Sequence, residues 1–375
     1  MSERWATHEA GKNMNEKSIT LNQLFFVIVQ AQIGISLLSI PFKAHKYAKG
    51  NAWISVIIAG LIVQIFVLII WMLMKRHKGK TILEISQTVL GKYIGNLVNF
   101  SYLLYGVLVM SNVVILYADI IERWILETTP KTVMIFLIIA TGIHLGKQNL
   151  RVIARFFTIV NVLVFLLFVL SFFAFSNNLS FTNLLPISQS SFTDMFKGST
   201  QVTSALLGFE ILLFIFPFVL GQEKQMLKKM TSAIATVVII YLYFAVLTLA
   251  TFSQKEIAIV PEPVLYMLKG LNFRVVERID MIFLSYWIIP MTTSFVVYLY
   301  IASSAAGKMF HKGKRKYPVW YLSILVFGIA YFFSDAIQIQ TFNHYTAVIS
   351  LIFIFGIPLF LLLLSIIFKN RGIRA

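Results

Sequence analysis

Apolar runs of about 18 residues or more recur from one end of this chain to the other, the length a helix needs to cross a hydrocarbon core roughly 30 Å thick. Inside hydrocarbon, every backbone amide and carbonyl must find its partner within the spanning segments, which selects helices. The composition agrees. Of 375 residues 58% are hydrophobic and 13% charged, far from the balance of a soluble domain. The chain is expected to be an all-α polytopic membrane protein. With no cysteine, it has no disulfide framework, thiolate metal site or cysteine nucleophile.

Hydropathy places ten transmembrane helices at 20–41, 52–74, 95–118, 132–145, 152–174, 199–220, 231–252, 279–301, 318–333 and 345–368. The fourth and ninth are short for a bilayer. The expected organisation is a tail over 1–18, a single transmembrane domain over 19–368 and a second tail over 369–375. The net charge of +17 is dispersed over short connections and forms no stripe, so nucleic-acid binding is excluded. Alternate connections carry 22 of the 32 Lys and Arg on one side and 10 on the other. That bias predicts both termini in the cytoplasm.

Two connections read as more than turns. In "TILEISQTVLGKY", Ile82, Ile85, Val89 and Leu90 share one face of a helix suited to lie at the membrane interface. In "PEPVLYMLKGLNF", Pro261 or Pro263 opens a short helix whose apolar side is Val264, Leu265, Leu268 and Leu271.

Polar chemistry at membrane depth is sparse. All six His fall outside the spans or at their ends, and no His/Asp/Glu cluster has metal-ligand spacing. No nucleophile–base pair is present, so an enzyme is not expected, and neither is a cofactor or a metal. Of 15 acidic residues only Glu210 is deep; Asp280 and Glu277 sit at the mouth of span eight. A charge at the bilayer centre costs about 2.5–3.5 kcal/mol on insertion scales, so Glu210 must face protein or a wet cavity. It is either part of a solute or ion pathway or a hydrogen-bonded carboxyl that joins two helices.

Spans one and six echo each other. "QIGISLLSIPF" and "LLGFEILLFIFPF" each place a Gly mid-span and Pro-Phe at the far end: Gly34 with Pro41-Phe42, and Gly208 with Pro217-Phe218. They are the first members of two five-span halves, about 19–174 and 199–368, which an odd span count inserts in opposite orientations. Gly- or Pro-interrupted helices at matching positions of inverted repeats point to a transporter's central site. The break frees backbone groups that a bound polar solute can satisfy.

These motifs resemble the first- and sixth-helix motifs of the amino acid–polyamine–organocation transporters, whose LeuT-like fold is a 5+5 inverted repeat with broken helices 1 and 6. The start "ITLNQLFFVIVQAQIGISLLSIP" and the ten-span layout are more specifically similar to the spore germination permease family, the B subunits of spore germinant receptors. The resemblance runs from Ile19 to Phe368. It implies a subunit of the spore inner membrane that binds a small germinant, typically an amino acid, in a mid-membrane pocket and acts with A and C subunits. It also assigns the pocket: Gln32, Ile33, Gly34, Ile35 and Ser36 at the first break, and Gly208, Phe209 and Glu210 at the sixth. Tyr105 and Val109 of span three, and Thr293, Ser294 and Tyr298 of span eight, are implied to complete it. One departure from the transporter pattern is that "IGIS" offers one Gly and a Ser where two small residues are common.

Three functions fit these residues: a germinant-sensing receptor subunit, an amino-acid permease working by alternating access with or without proton coupling, and a structural subunit with a vestigial site. Phe209 is either a lid over the ligand or a packing residue. Asn112 and Asn161 are expected to bond between helices.

Overall fold

Thr20 opens the first helix through a reciprocal cap. Its Oγ1 accepts from the Gln23 amide at 3.3 Å, and Gln23 Oε1 accepts from the Thr20 amide at 2.9 Å. The computed structural model describes residues 18–34, 36–173, 179–185, 190–271 and 278–369. Most of both expected tails lies outside the described residues, as do Ile35 and Glu277.

Helix α1 (Leu21–Gln32) ends where Ile33 turns extended, with φ −81° and ψ 104°, and α2 (Ser36–Ala48) resumes beyond it. Span one is therefore broken at its glycine. A 3-10 turn at Lys49–Asn51 joins α2 to α3 (Ala52–Arg76). Helix α4 (Ile82–Trp124) contains both the expected interfacial helix and span three, separated at Gly91, whose φ of 80° and ψ of 171° are open essentially to glycine alone. Ile82, Leu83 and Ile85 are buried, and Gln87 Nε2 donates to Asn96 Oδ1 at 2.6 Å. The interfacial piece thus folds back on the span it precedes.

Helices α5 (Lys131–Gly146) and α6 (Leu150–Phe172) follow. Helix α7 (Phe192–Ala205) then leads into the second break. Beyond it come a 3-10 turn at Phe209–Ile211, α8 (Leu212–Ile215) and a further turn at Phe216–Phe218, the two parts of the span being bent by 54°. The remaining helices are α9 (Glu223–Thr251), α10 (Gln254–Ile257), α11 (Pro263–Lys269), α12 (Ile279–Phe310), α13 (Lys316–Phe332), α14 (Ala336–Leu351) and α15 (Ile357–Lys369). A π-turn at Ile352–Gly356 joins the last two. Among the described residues six helices are long and apolar enough to cross a membrane, seven if the bent pair is one span; α5 and α13 are the shorter apolar pair.

Contacts sort the helix ends onto two faces. At the near face, where the chain enters span one, Lys78 pairs with Glu223 at 2.6 Å, Lys308 with Glu84 at 3.9 Å, and Arg76 Nη2 donates to the Ser365 carbonyl at 2.9 Å. At the far face, Arg123 pairs with Glu262 at 2.9 Å and His45 bonds Gln254 at 2.6 Å. Helix α11 lies at this far face with Val264, Leu265, Leu268 and the following Leu271 buried, as the sequence predicts. Asp280, at the mouth of span eight, is buried and paired with Arg278 at 2.8 Å.

The two broken spans are tied at the near face. Strand β1 (Ile19–Thr20) precedes span one and β2 (Val219–Leu220) ends span six; they pair in parallel, Ile19 with Val219 and Thr20 with Leu220. One span therefore begins where the other finishes, so the two run antiparallel, as inverted halves require. Within the bundle α4 and α12 pack closely, Gly106 lying so near Ala302 that an added Cβ would come within 2.8 Å of that residue's own.

Of the helix starts that differ from the hydropathy boundaries, two bear on the site. Span six is helical from Phe192 because Ser191 accepts from the Asp194 amide at 3.2 Å. Span ten is helical from Ala336 because Asp335 accepts from the Gln338 amide at 3.3 Å. Both starts are too polar for hydropathy to register.

Candidate functional site

Gln32 is the last residue of α1, and its side chain bridges the two breaks. Its Nε2 donates to the Leu206 carbonyl at 2.6 Å, one of the carbonyls freed where α7 stops. Its own carbonyl accepts from Tyr241 Oη at 2.9 Å. A carbonyl can only accept, so the amide of Gln32 is fixed in orientation, leaving Oε1 as an acceptor. That oxygen is buried and has no hydrogen-bond partner among the described residues.

Gly208 makes the close approach possible. At φ +120° it holds a conformation that L side chains rarely adopt, and an added Cβ would sit 2.2 Å from the Ala31 carbonyl oxygen. The break of span six thus packs backbone to backbone on the last turn of α1. Gly34 is less crowded, with Ser294 Oγ 3.2 Å from where its Cβ would be.

Between these breaks lies a cavity of about 80 Å³. Gln32, Gly34 and Ser36 line it from span one, Val109 and Asn112 from α4, and Ser294 and Tyr298 from α12. Ser204, Ala205 and Leu207 close it from the sixth-span break, and Asn343, Thr346 and Ala347 from α14. No Lys, Arg, Asp or Glu is among the lining residues. Three lining side chains carry buried polar atoms without a partner among the described residues: Gln32 Oε1, Asn112 Oδ1 and Ser294 Oγ. Buried polar atoms in native proteins are nearly always satisfied, so three around one cavity suit a polar solute.

Glu210 lies beside the cavity, outside its wall. It is fully buried; Oε1 accepts from Tyr105 Oη at 2.7 Å and Tyr298 Oη at 2.8 Å, and Oε2 accepts from the Gly208 amide at 2.7 Å. The sequence raised two roles for this carboxyl, and the geometry is that of a residue joining α4, α12 and the broken span six. Its route to a solute is through Tyr298, which both lines the cavity and bonds it.

The other expected positions divide in the same way. Ile33, Gly208, Phe209, Tyr105 and Thr293 are buried behind the wall and are not among the lining residues. Phe209 has no exposed surface. Thr293 Oγ1 lies 2.9 Å from the Pro290 carbonyl and 3.1 Å from Gln30 Oε1. Ile35 falls outside the described residues. The α14 wall is not among the positions the sequence points to: Asn343 precedes the hydropathy boundary of span ten, and Thr346 and Ala347 lie inside that span without a distinguishing signal. Asn112 does bond between helices, its Nδ2 donating to Asn343 Oδ1 at 3.0 Å, but it also faces the cavity.

Comparison with known proteins covers the same ground. Residues 18–343 match the family model described as spore germination protein. Over 348 residues the chain is 29% identical to the spore germination protein GerQB of Bacillus cereus, covering 91% of this chain and 93% of that one. It is 25% identical to spore germination protein A2 of Bacillus subtilis (strain 168) over 352 residues, 92% of this chain and 94% of that one. Among solved structures, MhsT in complex with L-phenylalanine superposes with a TM-score of 0.69 at 12% identity, covering 95% of this chain and 90% of that one. A substrate-bound, outward-open Na+-coupled sialic acid symporter gives 0.63 at 13% identity, covering 86% and 75%. Identities this low establish the architecture, a LeuT-like inverted repeat with broken first and sixth helices.

Proposed function

The chain belongs to the spore germination protein family, and on that premise we propose that it is the germinant-binding membrane subunit of a spore germinant receptor. The ligand is a small molecule, most simply an amino acid, held between the two broken spans. Binding shifts the balance between two arrangements of the bundle, and the change is passed to receptor A and C subunits. The chain resides in the spore inner membrane, with the near face and both termini toward the cytoplasm, the side that holds 22 of 32 basic residues.

The observation that carries this reading is the cavity between the breaks, with its three buried, unpartnered polar atoms and no formal charge. A zwitterion needs no opposing side-chain charge there. The last carbonyls of α1 attract an ammonium, and freed amides at the start of the following half-helix attract a carboxylate. Gln32, Gly34, Ser36, Val109, Ser294 and Tyr298 are assigned to contact it. Ile33, Gly208, Phe209 and Thr293 shape the break, while Tyr105 and Glu210 hold Tyr298. The structurally similar MhsT, described in complex with L-phenylalanine, supports an amino acid as the ligand class.

The test is equilibrium binding of radiolabelled amino acids to the purified chain, beside uptake of the same panel into proteoliposomes containing it alone. Binding without net uptake supports a transporter fold used as a sensor. Binding with uptake assigns it as a permease, and absence of binding across the panel removes the ligand site.

A further inference from the structure

Two asparagines, on α4 and α14, line the cavity. Asn112 stands two turns beyond Tyr105 on α4, about 10 Å closer to the far face, and its Nδ2 donates to Asn343 Oδ1 on α14 at 3.0 Å. Of their neighbours in the wall, Val113 and Ala347 are apolar and Thr346 spends its hydroxyl on the Phe342 carbonyl at 2.8 Å, so the amide pair holds the unspent polar capacity there. Gln32, Gly34 and Ser36 of the first break form another part of the wall.

The mutual bond spends one donor and one acceptor. Each amide has two N–H donors and a carbonyl with two lone pairs, so most of the pair's capacity remains. Asn112 Oδ1 in particular is buried and unpartnered among the described residues, with Asn112 only 8% exposed. Burying amides beside a cavity is costly unless something bonds them. A single packing bond between α4 and α14 would not require the side chains to face open space.

Resting on the proposed amino-acid site, we infer that Asn112 and Asn343 read the ligand's side chain, and that the site selects a hydroxyl- or carboxamide-bearing amino acid over its apolar isostere. The ligand's amino and carboxylate groups lie at the breaks, so its side chain reaches the asparagines. Being neutral, the pair can donate to a hydroxyl or accept from it, but offers a charged side chain no counter-ion. A site built to bond a hydroxyl rejects the analogue lacking it, because its own buried groups are then left bare.

Two isosteric pairs test this at nearly constant volume: L-serine against L-2-aminobutyrate, and L-threonine against L-valine. Binding of each to the purified full chain in detergent is measured for the wild type, Asn112→Ala, Asn343→Ala and, should an alanine variant fail to elute as a single species, Asn112→Ser. The expected result is a wild-type preference of about tenfold or more for the hydroxyl member of at least one pair. That preference falls to within about threefold of unity in the alanine variants and stays partial in Asn112→Ser. A wild type that binds these amino acids without preferring the hydroxyl overturns the inference and leaves the amino-acid site standing. So does a preference unchanged by the variants, or equal weakening of all four ligands. A wild type that binds other amino acids but none of these four overturns the inference alone, and one that binds no amino acid at all overturns the site and the inference with it.

Discussion

Tyr105 and Tyr298 donate to one and the same oxygen, Glu210 Oε1, from helices α4 and α12, at 2.7 and 2.8 Å. Their rings meet edge to face, with centroids 6.1 Å apart. Only Tyr298 also lines the cavity. The two phenols share a partner but differ in exposure to a ligand, and their variants should separate accordingly. Tyr298→Phe is expected to weaken ligand binding several-fold, whereas Tyr105→Phe lowers the thermal midpoint with affinity within about twofold of wild type. Because the hydroxyls converge on one oxygen, the double variant should show a coupling of about 0.5–3 kcal/mol in stability. Additive losses would mean that the phenols act independently.

Glu210→Gln preserves an oxygen for the tyrosines but sets an amide N–H2 against the Gly208 amide, donor facing donor. The unsatisfied N–H should cost about 1–3 kcal/mol. The variant is expected in the membrane at reduced thermal stability and with a weakened ligand response. Wild-type stability and response together would remove Glu210 from the framework of the site.

Gln32→Glu is nearly isosteric and tests the bridge between the breaks. It places a carboxylate oxygen against the Leu206 carbonyl where Nε2 now donates. Both stability and binding should fall, affinity by about tenfold or more. Gln32→Leu loses the same bond without the repulsion, so it should be the milder variant in a thermal melt but equally deficient in binding.

Two glycines offer opposite outcomes. Gly208→Ala meets the Ala31 carbonyl at 2.2 Å and must hold φ +120°, so it is expected to fail to assemble a folded chain. Gly91→Ala has open space around its Cβ and is strained by φ +80° alone. A loss of about 1–3 kcal/mol with ligand affinity intact is expected there. Intact binding by Gly208→Ala would place the ligand elsewhere.

How much of this was legible in the sequence depended on whether hydrocarbon or geometry did the selecting. Long apolar runs gave the spans, and Gly34 and Gly208 marked both breaks. Polar helix ends went unread: "SFTDMFKGST" and "AIQIQTFNH" carry too little hydropathy to register, and their signals were the caps Ser191 and Asp335. Losing the start of span ten lost Asn343, while Thr346 and Ala347 lay within the expected span with no signal that they face the cavity. Glu210 is buried, as a carboxyl within an apolar run must be, but burial does not give the direction of a side chain. That direction followed from the positive φ of Gly208, two residues earlier, which turns the carboxylate onto its own backbone.

The parallel pairing of Ile19–Thr20 with Val219–Leu220 constrains how this molecule can move. It staples together one end of each half-span bordering the site, ahead of the breaks on one strand and behind them on the other. With that staple intact, the two near-face segments cannot swing apart. Opening toward the near face then has a threshold, the rupture of a short ladder, in place of a continuous slope.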